Sequence, residues 1–200
     1  MASVERNTTL NARVSAWTLV IGTFFQALLS TSSLPLTPMH LLALAIITTG
    51  AWAFVDEMGA HKPLVRAGFV VFCGAAFARA IALIDVSSAS LGRFYLLYAY
   101  ASMLAMFMWS VAYLHRQRTL KVAGSVGVLA SLAPIAALIA GHIFVGAGAL
   151  FGIDALMPAS EGANLTNYAA INAVDYLLCG WAVVTAWFLL SGRIHDGASV

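Results

Sequence analysis

The chain predicts an all-α integral membrane protein: a six-transmembrane-helix bundle with short loops and both termini on the inner side (N-in/C-in). Three observations predict it. The 200 residues are 62% hydrophobic and 9% charged, with mean hydropathy +0.90, whereas an ordinary soluble domain carries about 25% charged residues. Six apolar stretches can be marked, at about 14–34, 39–55, 64–84, 94–114, 122–151 and 167–190. Most approach the ~20 residues that cross ~30 Å of hydrocarbon at 1.5 Å per residue. The third observation is where the cations fall. Backbone groups in lipid must be satisfied within the segment, so the stretches are read as helices.

Arg6 and Arg13 precede the first stretch, on which Ser15, Gly22, Gln26, Ser30 and Ser33 share one face. Residues 1–33 also have the basic start, apolar centre and small residues of a cleavable signal; we read them as a retained helix. The Thr31–Pro38 connection carries no charge. The second stretch is short, with His40 near its outer end. Lys62 and Arg66 introduce the third, which holds Arg79 and a small-residue ridge at Gly74, Ala78 and Ala82. Such ridges let helices approach closely.

Arg93 precedes the fourth stretch, whose Tyr95, Tyr98, Ser102, Met106, Trp109 and Tyr113 share a face. His115, Arg116, Arg118 and Lys121 crowd the link to the fifth, a long stretch with His142 inside it and a Gly148/Gly152 pair at its end. On the sixth, Asn164, Tyr168, Asn172, Asp175 and Cys179 recur at steps of four, four, three and four. At about 100° per residue they occupy an arc of roughly 80°, continued by Ala182 and Ala186. A polar stripe that narrow is expected to face other helices. Arg193 follows.

With both termini cytoplasmic, eight of the ten Lys and Arg residues lie inside, Arg93 lies outside and Arg79 is within a helix. That is the positive-inside pattern for six crossings. Trp17, Trp52, Trp109 and Trp187 come near inner helix ends, where indoles favour the interface. The chain reads as a single transmembrane domain, 1–200, since every link is short. A loose likeness between Ala76–Ile84 and Ala169–Leu177 is the one hint of the inverted halves common in transporters.

Polar groups in hydrocarbon carry the functional reading, because a mid-helix charge costs ~2.5–3.5 kcal/mol on insertion scales. Counted from the outer helix ends, Gln26, Arg79, Ser102, His142, Asn172 and Asp175 all fall roughly 10–15 Å deep. Arg79 and Asp175 are expected to pair across an intramembrane polar pocket lined by Gln26, Tyr98, His142 and Asn172. The plain alternative is a structural ion pair that fixes helix register.

No cofactor can be named. A single-His pigment or haem ligation at His142 is the one arrangement available, and no Cys/His cluster has zinc spacing. Cys73 and Cys179 read as small apolar residues. The chain lacks a Gly-rich phosphate loop, HExxH and GxSxG. The dispersed basic residues and a net charge of +2 give no support to nucleic-acid binding. The expected partners are membrane lipids and membrane-protein subunits, and the basic patch at 115–121 suits anionic head groups.

Three readings of function follow. First is a small accessory or structural subunit packed against a larger membrane complex. Second is a small-solute or proton-coupled transporter using the outward-facing pocket around Arg79 and Asp175. Third is a membrane enzyme acting on a lipid or quinone with Asp175 or His142 as acid/base. An Ala-rich composition points to a bacterial cytoplasmic (inner) membrane.

Overall fold

Helices account for nearly all of the structure, a computed structural model that describes residues 10–30, 37–58, 62–84, 88–115, 118–145 and 161–191. Within these, residues 88–93, 118–119, 137–145 and 161–172 are described by their backbone alone. The helices are α1 (Leu10–Ser30), α2 (Thr37–Glu57), α3 (Lys62–Ile84), α4 (Ser88–Leu114), α5 (Arg118–Val145) and α6 (Glu161–Leu190). Five of them contain segments long and apolar enough to cross a membrane, and α5 contributes a shorter apolar run, Leu120–Ala136, among the described residues.

The helices run past the apolar stretches at several ends. Hydropathy falls at Asp56 and Glu57, or before Leu64, but the hydrogen-bond ladder continues; Asp56 is exposed and pairs with Lys62 at 2.7 Å, while Glu57 is buried. Pro38 and Pro63 sit in the first turns of α2 and α3, where a missing N–H leaves no bond unmade. Pro134 lies inside α5 and leaves one carbonyl without its ladder donor. Positions 146–151, read as the end of the fifth stretch, lie outside the described residues, and with them Gly148 and Gly152.

Neighbours in the chain are neighbours in space. The largest interfaces are α3–α4, α1–α2, α1–α6 and α4–α5; α2–α3 and α5–α6 are smaller, and α4 also touches α6 across the centre. Side-chain contacts show α1 and α2, and likewise α3 and α4, to be antiparallel. Ser15 meets Gly50 and Gln26 meets His40; Trp109 meets Val65 while Tyr98 lies by Arg79.

Glycine permits the α1–α2 crossing. A Cβ on Gly50 would fall 2.6 Å from Thr18 Oγ1 and 2.8 Å from the Leu19 backbone nitrogen; one on Gly22 would fall 2.9 Å from the Ile47 nitrogen. At this contact Ser15 Oγ donates to the Gly50 carbonyl at 2.9 Å. The Gly74 ridge behaves differently. Ala78 and Ala82 are buried, but Gly74 is exposed, and a Cβ there would meet nothing within 4 Å among the described residues. Four-residue spacing drifts about 40° per step round a 3.6-residue helix, so Gly74, the first member, leaves the contact line.

One end of the bundle is aromatic. Trp109 and Trp181 stack at 4.9 Å, with Phe54 edge-on to both and Phe72 tilted against Trp109. Trp109 therefore departs from the interfacial role expected of it. It is buried, and its Nε1–H reaches the Val65 carbonyl at 3.1 Å. Trp17, Trp52 and Trp187 are exposed, as anchors in lipid would be.

Gly50→Leu is expected to lower the thermal unfolding midpoint of the detergent-solubilised protein, since overpacking costs about 1–3 kcal/mol. Gly74→Leu, at an open position, should leave it unchanged. Equal midpoints for both variants would contradict the close α1–α2 crossing.

Candidate functional site

Opposite the aromatic end, polar side chains from five helices meet in the apolar interior. Asp175 on α6 is the centre, with its residue 1% exposed. Burying a carboxylate is costly unless it is paired and hydrogen-bonded, and the surrounding helices supply both. Tyr98 Oη, from α4, donates to Asp175 Oδ1. Ser30 Oγ, in the last turn of α1, lies against Asp175 Oδ2. Arg79 Nη2, from α3, stands 4.0 Å from the same oxygen, near enough for an ion pair and too far for a direct hydrogen bond. Ser30 closes that gap, since Arg79 Nη2 donates to its hydroxyl at 3.5 Å.

Ser30 is a divided donor. Its Oγ is also 3.0 Å from the Gln26 carbonyl, so its single proton can serve that carbonyl or the carboxylate. The guanidinium lies over the Tyr95 ring at 4.2 Å and the Tyr98 ring at 5.1 Å. Both aromatic faces present their negative quadrupole to the cation. One turn of α4 thus provides a hydroxyl for the carboxylate and two ring faces for its counter-ion.

Gln26 and His40 form the cluster's margin. His40 Nδ1 and Gln26 Oε1 are 3.3 Å apart; an amide oxygen only accepts, so the contact requires the tautomer with hydrogen on Nδ1. The other end of the amide, Gln26 Nε2, is buried with no hydrogen-bond partner among the described residues. Arg79 Nε and Nη1 are likewise buried without a hydrogen-bond acceptor among the described residues.

Of the residues singled out in the sequence, the structure brings Arg79, Asp175 and Tyr98 into contact and sets Gln26 beside them. Asn172 and His142 are on α6 and α5, but their side chains lie outside the described residues. Three further members were visible as parts of stripes or near helix ends. Ser30 follows Gln26 by one turn, Tyr95 precedes Tyr98 by three residues, and His40 was placed only near a helix end. Sequence depth alone does not say that α1 and α2 cross so that His40 faces Gln26.

Among the described residues no group of three or more His, Cys, Asp or Glu side chains could hold a metal ion. Cys73 and Cys179 are free, partly exposed thiols. Compared with known proteins, the chain matches no family model, no curated protein and no solved structure.

Arg79→Met or Asp175→Leu alone should each cost about 3–5 kcal/mol by leaving one buried charge unpaired. The double variant should recover most of that loss, as measured by chemical unfolding in detergent. Additive losses would show that the two groups do not act as a pair.

Proposed function

We propose that this chain is a multi-pass membrane protein that crosses the bilayer six times, N-in/C-in, and carries a small anionic solute together with a proton through the Arg79–Asp175 cluster. The observation that supports the solute reading best is a deficit of acceptors. Among the described residues, Arg79 Nε, Arg79 Nη1 and Gln26 Nε2 are three buried nitrogen donors with no hydrogen-bond partner, all in one side-chain cluster. Native proteins leave few such groups unmet, and a carboxylate-bearing solute presents the acceptors these donors lack.

Charge balance sets the cycle. Without solute, Asp175 neutralises Arg79. A second anion cannot enter apolar surroundings beside an ionised Asp175 without leaving a net negative charge there, which the medium penalises. If Asp175 takes a proton, Arg79 is released to the solute's carboxylate and the site stays neutral. The groups facing Asp175 in this exchange are Ser30 and Gln26 from α1, His40 beyond Gln26 from α2, Arg79 from α3, and Tyr98 from α4. One proton then enters with each anion, and solute binding strengthens as pH falls.

An accessory role in a larger membrane complex, in a bacterial inner membrane, is the second reading. It is favoured by one face of α3, where Val70, Phe77 and Ile84 are each more than two-thirds exposed around the open Gly74. A partner helix could approach there.

Purified protein in liposomes should take up a small monocarboxylate such as acetate or lactate faster at pH 5.5 than at pH 7.5, the pH values being those of the assay, by up to about 100-fold if one proton is required. Asp175→Asn should abolish that pH dependence and Arg79→Gln should abolish uptake. Uptake unaffected by Arg79→Gln would sink the carrier reading, and a stoichiometric protein partner in native mass spectrometry, lost in Gly74→Leu, would replace it. For orientation, single cysteines at Lys121 and Glu161 should label from opposite sides of sealed vesicles; labelling from one side would contradict six crossings.

A further inference from the structure

The second feature of the bundle is an apolar cleft that runs towards the aromatic end, on a different face of α6 from Asp175. It has a volume of about 650 Å³ and opens between α5 and α6, whose mutual interface is small. Met106 and Tyr113 of α4 form its back, Val126 and Ala130 of α5 one wall, and Tyr176 and Phe188 of α6 the other. No charged side chain lines it among the described residues. We propose that this cleft is a binding site for one acyl chain of an anionic phospholipid whose head group is held by Lys121, near the start of α5.

The dimensions favour a hydrocarbon chain over a helix. From Tyr176 to Phe188 is twelve residues of α6, or about 18 Å, close to the ~15 Å that one leaflet contributes to the hydrocarbon core. Dividing 650 Å³ by that length leaves a mean cross-section of about 36 Å². A helix with side chains is 10–12 Å across, about 80 Å² or more, and does not fit. An extended chain does. Its walls are the aliphatic and aromatic surfaces such a chain packs against.

Charge fixes the head group. Tyr113 and Val122, both lining residues, stand on either side of the link between α4 and α5. His115 lies two residues after the first, and Lys121 directly precedes the second. His115 and Lys121 are exposed. On the other wall Trp187, 53% exposed, lines the same end and suits the head-group layer. Cations near a surface attract acidic lipids at roughly fivefold in affinity each. The site thus distinguishes lipids by head group and holds them by chain.

The test is retention of defined lipids by the full-length, delipidated protein, read by native mass spectrometry. Phosphatidylglycerol and phosphatidylcholine with identical chains are the probes. Phosphatidylglycerol should bind at a one-to-one ratio and about fivefold more tightly. Lys121→Gln should weaken it about fivefold and leave phosphatidylcholine unchanged; Lys121 is exposed near a helix end, where folding is least at risk. Ala130→Trp, which fills the cleft, should remove binding of both lipids while the protein keeps its helical circular dichroism. Equal retention of the two lipids, undiminished binding in Ala130→Trp, or a lipid-free dimer in place of the lipid-bound monomer would each overturn the proposal.

Discussion

A carboxylate and a guanidinium share one apolar interior, and neither is tolerable there alone. Their mutual need sets the relative depth of four helices. Asp175 fixes α6, Arg79 fixes α3, Tyr98 brings α4, and Ser30 brings the end of α1. Sliding any of these helices by one turn moves its group about 5.4 Å, beyond hydrogen-bond reach. Lipid offers no hydrophobic force to separate one register from another, because tails are as apolar as the side chains they touch. The polar cluster supplies that discrimination, whatever else it does.

The remainder of the bundle is held by shape. Glycines and Ser15 bring α1 onto α2, and a Cβ at Gly68 would meet Trp109 Nε1 at 2.7 Å, so α3 and the large indole fit only because that position is bare. Gly124 does the same for α5, where a Cβ would fall 2.7 Å from the Ser110 carbonyl. The two ends of the molecule therefore differ in kind. One is specified by charge and hydrogen bonds, the other by ring packing between α2, α3, α4 and α6. α5 is attached chiefly to α4, and the space left on its α6 side is the cleft.

Much of this was legible in the chain. Low charge content and six apolar stretches led to the helical bundle, since a backbone in hydrocarbon has few other choices. Counting residues led to the expectation that Arg79 and Asp175 pair, and in the structure Arg79 Nη2 lies 4.0 Å from Asp175 Oδ2. The sites that escaped are those depending on helix rotation. Trp109 looked interfacial because it lies near a helix end, yet rotation turns it inward, where Val65 accepts its proton. Gly74 looked like a contact residue by spacing, yet it faces out. His40 and Ser30 needed the α1–α2 and α1–α6 crossings, which no linear pattern encodes. Length and depth are one-dimensional quantities; the direction a side chain faces depends on its neighbours.

The architecture of the cluster bears on whether it is a lock or a site. A lock would be complete, with each donor matched and each oxygen filled. Here the carboxylate is well served, by Tyr98, Ser30 and the cation. The guanidinium is served mainly by ring faces and keeps two nitrogens without acceptors among the described residues. Ring faces are indifferent to which anion the cation holds. They stabilise the positive charge without occupying its N–H groups, and under the carrier proposal this would let Arg79 exchange one carboxylate for another while its own position is maintained. Tyr98 works in both states, donating to an ionised Asp175 and able to accept from a protonated one. An arrangement that stabilises the cation independently of its counter-ion costs nothing in register, and it leaves open a choice of anion that a closed ion pair would not.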